Sequence, residues 1–346
     1  MRADATNSRR SVGIWLLGCC AAIFAMVVIG GITRLTGSGL SITEWNPVMG
    51  VLPPLSDAEW QRLFDQYRQI PEYVHVNAGM TLAEFRTIFW WEYIHRLWGR
   101  AIGLVFLIPL LWFWWRGRID RPLGLKLFGI FLLGGLQGVV GWWMVKSGLA
   151  DRLDVSQYRL AIHLGLALLL YALVFWIALD LLVKKPTGRH TAGLVPMAWV
   201  VVGAVSLTIV AGAFVAGTNA GLVYNTFPEM GGGLIPPDYV AVEPAWLNAF
   251  ENPSAIQFNH RLLAIATLAL IIVFWARSFR VPELGVRSGL LLLVAAAQVG
   301  IGIATLLLVV PISLGALHQA GAVVVLTAAL WVAHGLCDNR AEPATA

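Results

Sequence analysis

Apolar residues fill eight long runs of this chain, near 12–33, 94–115, 127–145, 160–183, 194–216, 258–276, 288–310 and 314–334. Each approaches the roughly 20 residues that a helix needs to cross the hydrocarbon core of a bilayer. Polar residues collect unevenly between them, with two long segments at 34–93 and 217–257 and short basic loops elsewhere. Within the first long segment, "SDAEWQRLFDQY" begins with a capping Ser or Asp and predicts a short amphipathic helix. The second is rich in Gly and Pro and predicts no helix. The pattern is that of an all-α membrane protein with eight transmembrane helices.

Composition supports this: 58% of the 346 residues are hydrophobic and 12% charged, against roughly 25% charged in soluble domains. Arg2, Arg9 and Arg10 precede the first run as in a signal peptide. The run is too long and lacks a small-x-small cleavage site, so a retained helix is expected, with no room for an organelle transit peptide.

Basic residues cluster after the second helix (Arg116, Arg118, Arg121, Lys126), the fourth (Lys184, Lys185, Arg189) and the sixth (Arg277, Arg280, Arg287). Loops of this kind stay in the cytoplasm, which puts both termini inside and both long segments outside, in a bacterial plasma (inner) membrane. The net charge of +5 therefore reports topology, and no nucleic-acid partner is inferred from it. Cys19 and Cys20 are adjacent and Cys337 is far away, so no structural disulfide is expected.

The chain repeats itself. "TGSGLSITEWNPVMGVLPP" from Thr36 aligns with "TNAGLVYNTFPEMGGGLIPP" from Thr218, "EYIHR" at 92–96 with "QFNHR" at 257–261, "QGVVG" at 137–141 with "QVGIG" at 298–302, and His163 with His318. Four helices separate equivalent points, so the halves, 1–190 and 191–346, are parallel repeats about an axis along the membrane normal, each a four-helix bundle.

His95, His163, His260 and His318 each fall in the first turn or so of an even-numbered helix, at one depth near the outer face. Ionisable groups inside a bilayer are costly and point to function. Two imidazoles per bundle match the two axial ligands of a haem iron better than a zinc or di-iron site, which needs more ligands. Gly99, Ala167, Ala264 and Ala322, four residues on, leave room for a flat macrocycle or for ordinary helix packing. His75, His190 and His334 are expected at interfaces or in solvent.

Glu92 lies one turn before His95, whereas Gln257 holds the equivalent place before His260. A buried carboxyl has its pKa raised toward proton transfer, with Arg96 opposing the shift; a glutamine exchanges no proton. Arg96 and Arg261 either clamp haem propionates or snorkel to headgroups, and Arg34 could act similarly. Trp45, Trp142 and Trp143 suit an interfacial belt, while Trp90 and Trp91 are candidates to line a site.

These residues resemble the haem A synthase family, in its mitochondrial-type and proteobacterial branch. The likeness covers about 12–335 and rests on "GGITRLTGSGLSITEWNPVMGVLPP", "WWEYIHRLWGR", "LLGGLQGVVGWWMVKSGL", "FNHR" and "LHQ". The resemblance implies an oxidoreductase that turns the C8 methyl of haem O into the formyl group of haem A for haem-copper oxidases, by successive hydroxylations and loss of water from a geminal diol. It makes His95 and His163 the pair around haem O, Glu92 the acidic catalytic residue, and His260 and His318 the ligands of a haem b cofactor. It also implies haem O synthase and an electron donor as partners. A cysteine pair in the first outward loop of another branch is missing here. Two alternatives stay open, a non-catalytic di-haem b cytochrome and a haem chaperone, and the apolar surface leaves room for a homo-oligomer.

Overall fold

A computed structural model describes residues 2–46, 49–150, 152–183 and 193–336. Its long helices are α1 (Arg2–Leu35), α4 (Leu82–Trp115), α5 (Arg121–Ala150), α6 (Gln157–Leu182), α7 (Val195–Gly217), α9 (Pro253–Ser278), α10 (Leu284–Leu307) and α11 (Ile312–Leu336). All eight are long and apolar enough to span a membrane. Shorter helices α2 (Asp57–Tyr67), α3 (Pro71–His75) and α8 (Asn248–Glu251) lie in the two long connections, which share one end of the molecule, here the long-loop end. Cys337, His190, Lys184, Lys185, Arg189 and both chain termini lie outside the described residues.

Helix α1 packs on α4 and α6, and α5 on the same two; α7 packs on α9 and α11, and α10 on the same two. Contacts of α1 with α11 and of α6 with α7 and α11 join these two sets.

The amphipathic helix expected from "SDAEWQRLFDQY" is α2. Its capping box is complete: Ser56 accepts from the Glu59 amide, and the Glu59 carboxylate accepts from the Ser56 amide. Trp60, Phe64 and Tyr67 of α2 pack with Phe85, Phe89 and Tyr93 of α4 into an apolar core outside the main bundle.

Helix α4 starts well before residue 94, where the apolar run suggests. Thr81 and Glu84 form a second capping box, and the polar positions of the first turns face solvent while the aromatic ones face α2. His95 therefore sits about three and a half turns into its helix, and His163, His260 and His318 about two turns into theirs, deeper than a first-turn placement. In the second long connection, side chains of Asn248 and Asn252 do the work that aromatic residues do in the first: Asn248 accepts from the amides of Ala241 and Val242 and donates to the carbonyls of Val242 and Ala245.

At the opposite end, His334, expected in solvent or at an interface, is not solvated. It is fully buried, edge-on to Trp176, with Nε2 at 2.9 Å from Asp180 Oδ1. His75 is exposed. Cys19 and Cys20 are buried free thiols in α1.

Replacing the cap, Ser56→Ala, should cost about 1 kcal/mol of local stability. The expected outcome is faster amide exchange across 57–67 with the membrane helices unchanged.

Candidate functional site

Glu92 is 2% exposed. Its Oε2 accepts from Ser41 Oγ and from the Ile42 amide, both at 2.7 Å. Its Oε1 accepts from Arg96 Nη2 at 2.6 Å and Nε at 3.0 Å, an i, i+4 ion pair. Arg96 then donates to the carbonyls of Ile42 at 2.7 Å and Glu44 at 2.8 Å. Every contact of the carboxylate is with a donor, so the group is held as an acceptor between its helix and the turn that follows α1.

Gln257 is equally buried but reversed in polarity. Its Nε2 donates to the carbonyls of Ala220 at 2.8 Å and Tyr224 at 3.2 Å. Arg261 Nη2 donates to Tyr224 O at 2.8 Å and Gln257 Oε1 at 3.2 Å. Under the register that pairs Thr36 with Thr218, Ile42 pairs with Tyr224, so each arginine ties its helix to the same carbonyl position. A carboxylate at 257 would place an oxygen against two carbonyl oxygens, where the amide Nε2 now donates, with Arg261 alone to offset the clash.

The two arginines also differ in what they have left. All three donor nitrogens of Arg96 are engaged as described. Arg261 Nε and Nη1 are buried without a partner among the described residues. Arg34 donates to Ala216 O and Asn219 Oδ1 and pairs with Asp154 at 3.4 Å, joining α1 to the segment after α7.

The four imidazoles share one device that the sequence reading passed over. Each ring lies against a glycine of a neighbouring helix: His95 on Gly30, His163 on Gly141, His260 on Gly212 and His318 on Gly302. A Cβ on those glycines would stand 3.2, 2.9, 3.2 and 2.7 Å from the ring atoms, so no other residue fits without moving the histidine. Gly99, four residues after His95, faces Met26. The signal was present in the repeat, since Gly30 and Gly212 hold aligned places, as do Gly141 and Gly302. Two aligned glutamines complete the pattern: Gln137 Nε2 donates to the His163 carbonyl at 2.9 Å and Gln298 Nε2 to the His318 carbonyl at 2.7 Å.

The rings of His260 and His318 are 6.4 Å apart, centre to centre, and perpendicular. A metal bonded at about 2 Å to one nitrogen of each ring separates their centres by about 6 Å. His163 Nδ1 and His260 Nδ1 have no partner, and all four histidines are only half-buried. Among the described residues no group of three or more His, Cys, Asp or Glu could hold a bare metal ion. Each pair supplies two nitrogen donors, which fits an iron whose remaining ligands come from a macrocycle.

Of the tryptophans, Trp45 packs on Trp142 at 5.0 Å and Trp90 stands edge-on to Tyr93. A polar cleft of about 420 Å³, lined by Arg152, Asp154, Gln157, Asn219 and Glu251 among others, opens beside the seam of α6 and α7 and includes none of the four histidines.

Fold and site together define a multi-pass helical membrane protein with paired imidazoles at the long-loop end, one pair accompanied by a carboxylate. A family model described as "Cytochrome oxidase assembly protein" matches residues 13–330, and the chain belongs to that family. It is 53% identical to "Heme A synthase" of Nitrosospira multiformis, over 95% of this chain and 94% of that protein. It is 51% identical to the protein of the same name from Nitrosomonas eutropha, over 96% and 95%, and 52% identical to that of Rhodospirillum centenum, over 94% and 88%.

Removing one partner of a buried ion pair leaves the other charge stranded. Arg96→Met should therefore cost about 3–5 kcal/mol, and Arg261→Met, beside neutral Gln257, about 1 kcal/mol. Denaturant unfolding in detergent micelles measures the difference.

Proposed function

We propose that this chain is a haem A synthase, a bacterial membrane oxidoreductase that converts the C8 methyl of haem O into the formyl group of haem A. The observation that carries the assignment is the buried carboxylate of Glu92, held by four donors beside one imidazole pair and replaced by an amide beside the other. Relatives that carry the name heme A synthase at about half identity along nearly the whole chain support it.

In this reading His95 and His163 hold and orient haem O, and His260 and His318 hold haem b. When bound, haem b supplies one-electron redox chemistry. The division of the chain at about residue 190 then separates a reacting half from an electron-carrying half. Each oxidation step on the methyl group is coupled to proton movement, in a site walled by apolar helices. Glu92 is the acceptor placed for this, taking a proton on a carboxylate oxygen while Arg96 and the Ile42 amide keep the group in position.

The roles of the two arginines separate. Arg261, with two buried donor nitrogens to spare, suits a haem propionate. Arg96 was expected to do the same, but its donors are committed to Glu92 and the carbonyls of Ile42 and Glu44, which makes it the positioning residue for the carboxylate. The basic loops orient the long-loop end outward with both termini inside, placing the sites near the outer face. Haem O synthase is the natural source of the substrate, and an electron donor is required. Association into homo-oligomers is compatible with the apolar surface.

A non-catalytic di-haem cytochrome has no use for the Glu92–Gln257 difference. Extraction and mass analysis of haems from cells that make haem O tests the assignment. Wild-type protein should yield haem A or its hydroxylated precursor; Glu92→Gln should retain haem O and turn over about 10²–10⁴-fold more slowly. Haem A formed at the wild-type rate by Glu92→Gln, or haem b alone in wild type, overturns it.

Gly302→Val should cost one haem per chain by displacing His318. Gly300→Val, where a Cβ meets nothing within 4 Å, should cost none, as read from pyridine haemochrome spectra.

A further inference from the structure

A second buried carboxyl group lies in the same half as Glu92 and has no counterpart among the described residues of the other. Glu72, on α3, is 7% exposed and has no ion-pair partner among the described residues. Its one side-chain hydrogen bond is a long one, accepted from Tyr67 Oη at 3.4 Å, and that hydroxyl in turn accepts from Asn77 Nδ2 at 2.7 Å. A carboxylate shut away from water with so little compensation adds nothing to stability.

Its location suggests a use. Glu72 Oε1 is 4.0 Å from the position a Cβ would take on Gly37, which puts it against the turn 36–42. The same turn contacts Glu92 through Ser41 Oγ and the Ile42 amide. Between them the turn carries hydroxyls: Thr36 Oγ1 and Ser38 Oγ are 2.7 Å apart, and Ser38 and Ser41 are both buried. In the aligned turn of the second half, Ala220 replaces Ser38 and Val223 replaces Ser41. The carboxylate, the two serine hydroxyls and the second carboxyl are thus confined to one half, while Thr36 has Thr218 as its counterpart.

Taking Glu92 as the proton acceptor proposed above, we infer that Glu72 is a proton-exchange residue that connects Glu92 to the outer aqueous phase across the hydroxyl-bearing turn 36–41. A proton given up by Glu92 returns it to the carboxylate, and the proton taken by Glu72 is released to water. Each such transfer moves one proton from Glu92 to water, and no electrons move.

The surroundings of Glu72 suit exchange near neutral pH. Burial, reinforced by the charges of Asp154 before α6 and Glu92 on α4, pushes it up to about 7 from an ordinary 4.5, against the hydroxyl of Tyr67 on α2 and the charge of Arg34 at the end of α1. The folded protein then binds more protons than the unfolded chain between about 4.5 and 7, so stability falls as pH rises through that window.

The test uses full-length protein in detergent. Infrared titration should show a carboxyl band in wild type that disappears near pH 7 and is missing in Glu72→Gln, and the decline in Tm between pH 5 and 8 should be smaller in that variant. Loaded with haems, Glu72→Gln should keep its haem content, turn over roughly tenfold more slowly and lose the limb of its pH profile near 7, with partial rescue by Glu72→Asp. Tyr67→Phe, which removes the donor, should move that limb to higher pH and serves as the test if Glu72→Gln does not fold. Wild-type rate and pH profile in Glu72→Gln, or an unmoved limb in Tyr67→Phe, overturn the relay. If instead Glu92→Gln is fully active while Glu72→Gln is slow, it is the assignment of Glu92 that fails.

Discussion

The close approach of a glycine backbone to each of four imidazoles sets the geometry on which the rest depends. A polar ring inside an apolar bundle is costly unless something engages it, and it can turn inward only where the facing helix comes near without a side chain. Gly30, Gly141, Gly212 and Gly302 provide that approach. Gln137 and Gln298, by binding the carbonyls of His163 and His318, tie α5 to α6 and α10 to α11 at the same level. Helix spacing, ring orientation and the 6.4 Å separation of His260 from His318 are therefore aspects of one packing arrangement.

On this common frame, polarity distinguishes the two halves. Both arginines fasten their helix to the turn at one carbonyl position. Where the turn offers donors, a carboxylate sits; where it offers acceptors, an amide sits. Reversal of a few hydrogen bonds is enough to give one half a group that can take a proton and to leave the other with one that cannot. Glu72 and the hydroxyls of Ser38 and Ser41 follow the same division, and the aromatic core of α2 and α4 shields the first half alone.

Helical class and the eight spans were legible because a bilayer demands long apolar runs and strips every other conformation of backbone partners. Helix α2 was legible from its capping residues. The start of α4 was not, because its first turns alternate polar and aromatic positions that face solvent and α2 instead of lipid. His334 was misjudged for a related reason: position near a helix end says nothing about what Trp176 and Asp180 bring over it.

For the site, the sequence by itself determined which residues stand at equivalent places, and hence that Glu92 has an amide as its counterpart. Tertiary structure alone decided what those residues touch: that Arg96 is spent on Glu92 and the loop while Arg261 keeps free donors, that glycines of neighbouring helices receive the histidines, and that Glu72 faces the same turn as Glu92. Repeats and periodicity are properties of order along a chain. Hydrogen-bond partners and close approaches depend on which helices meet, and that is settled only when the bundles pack.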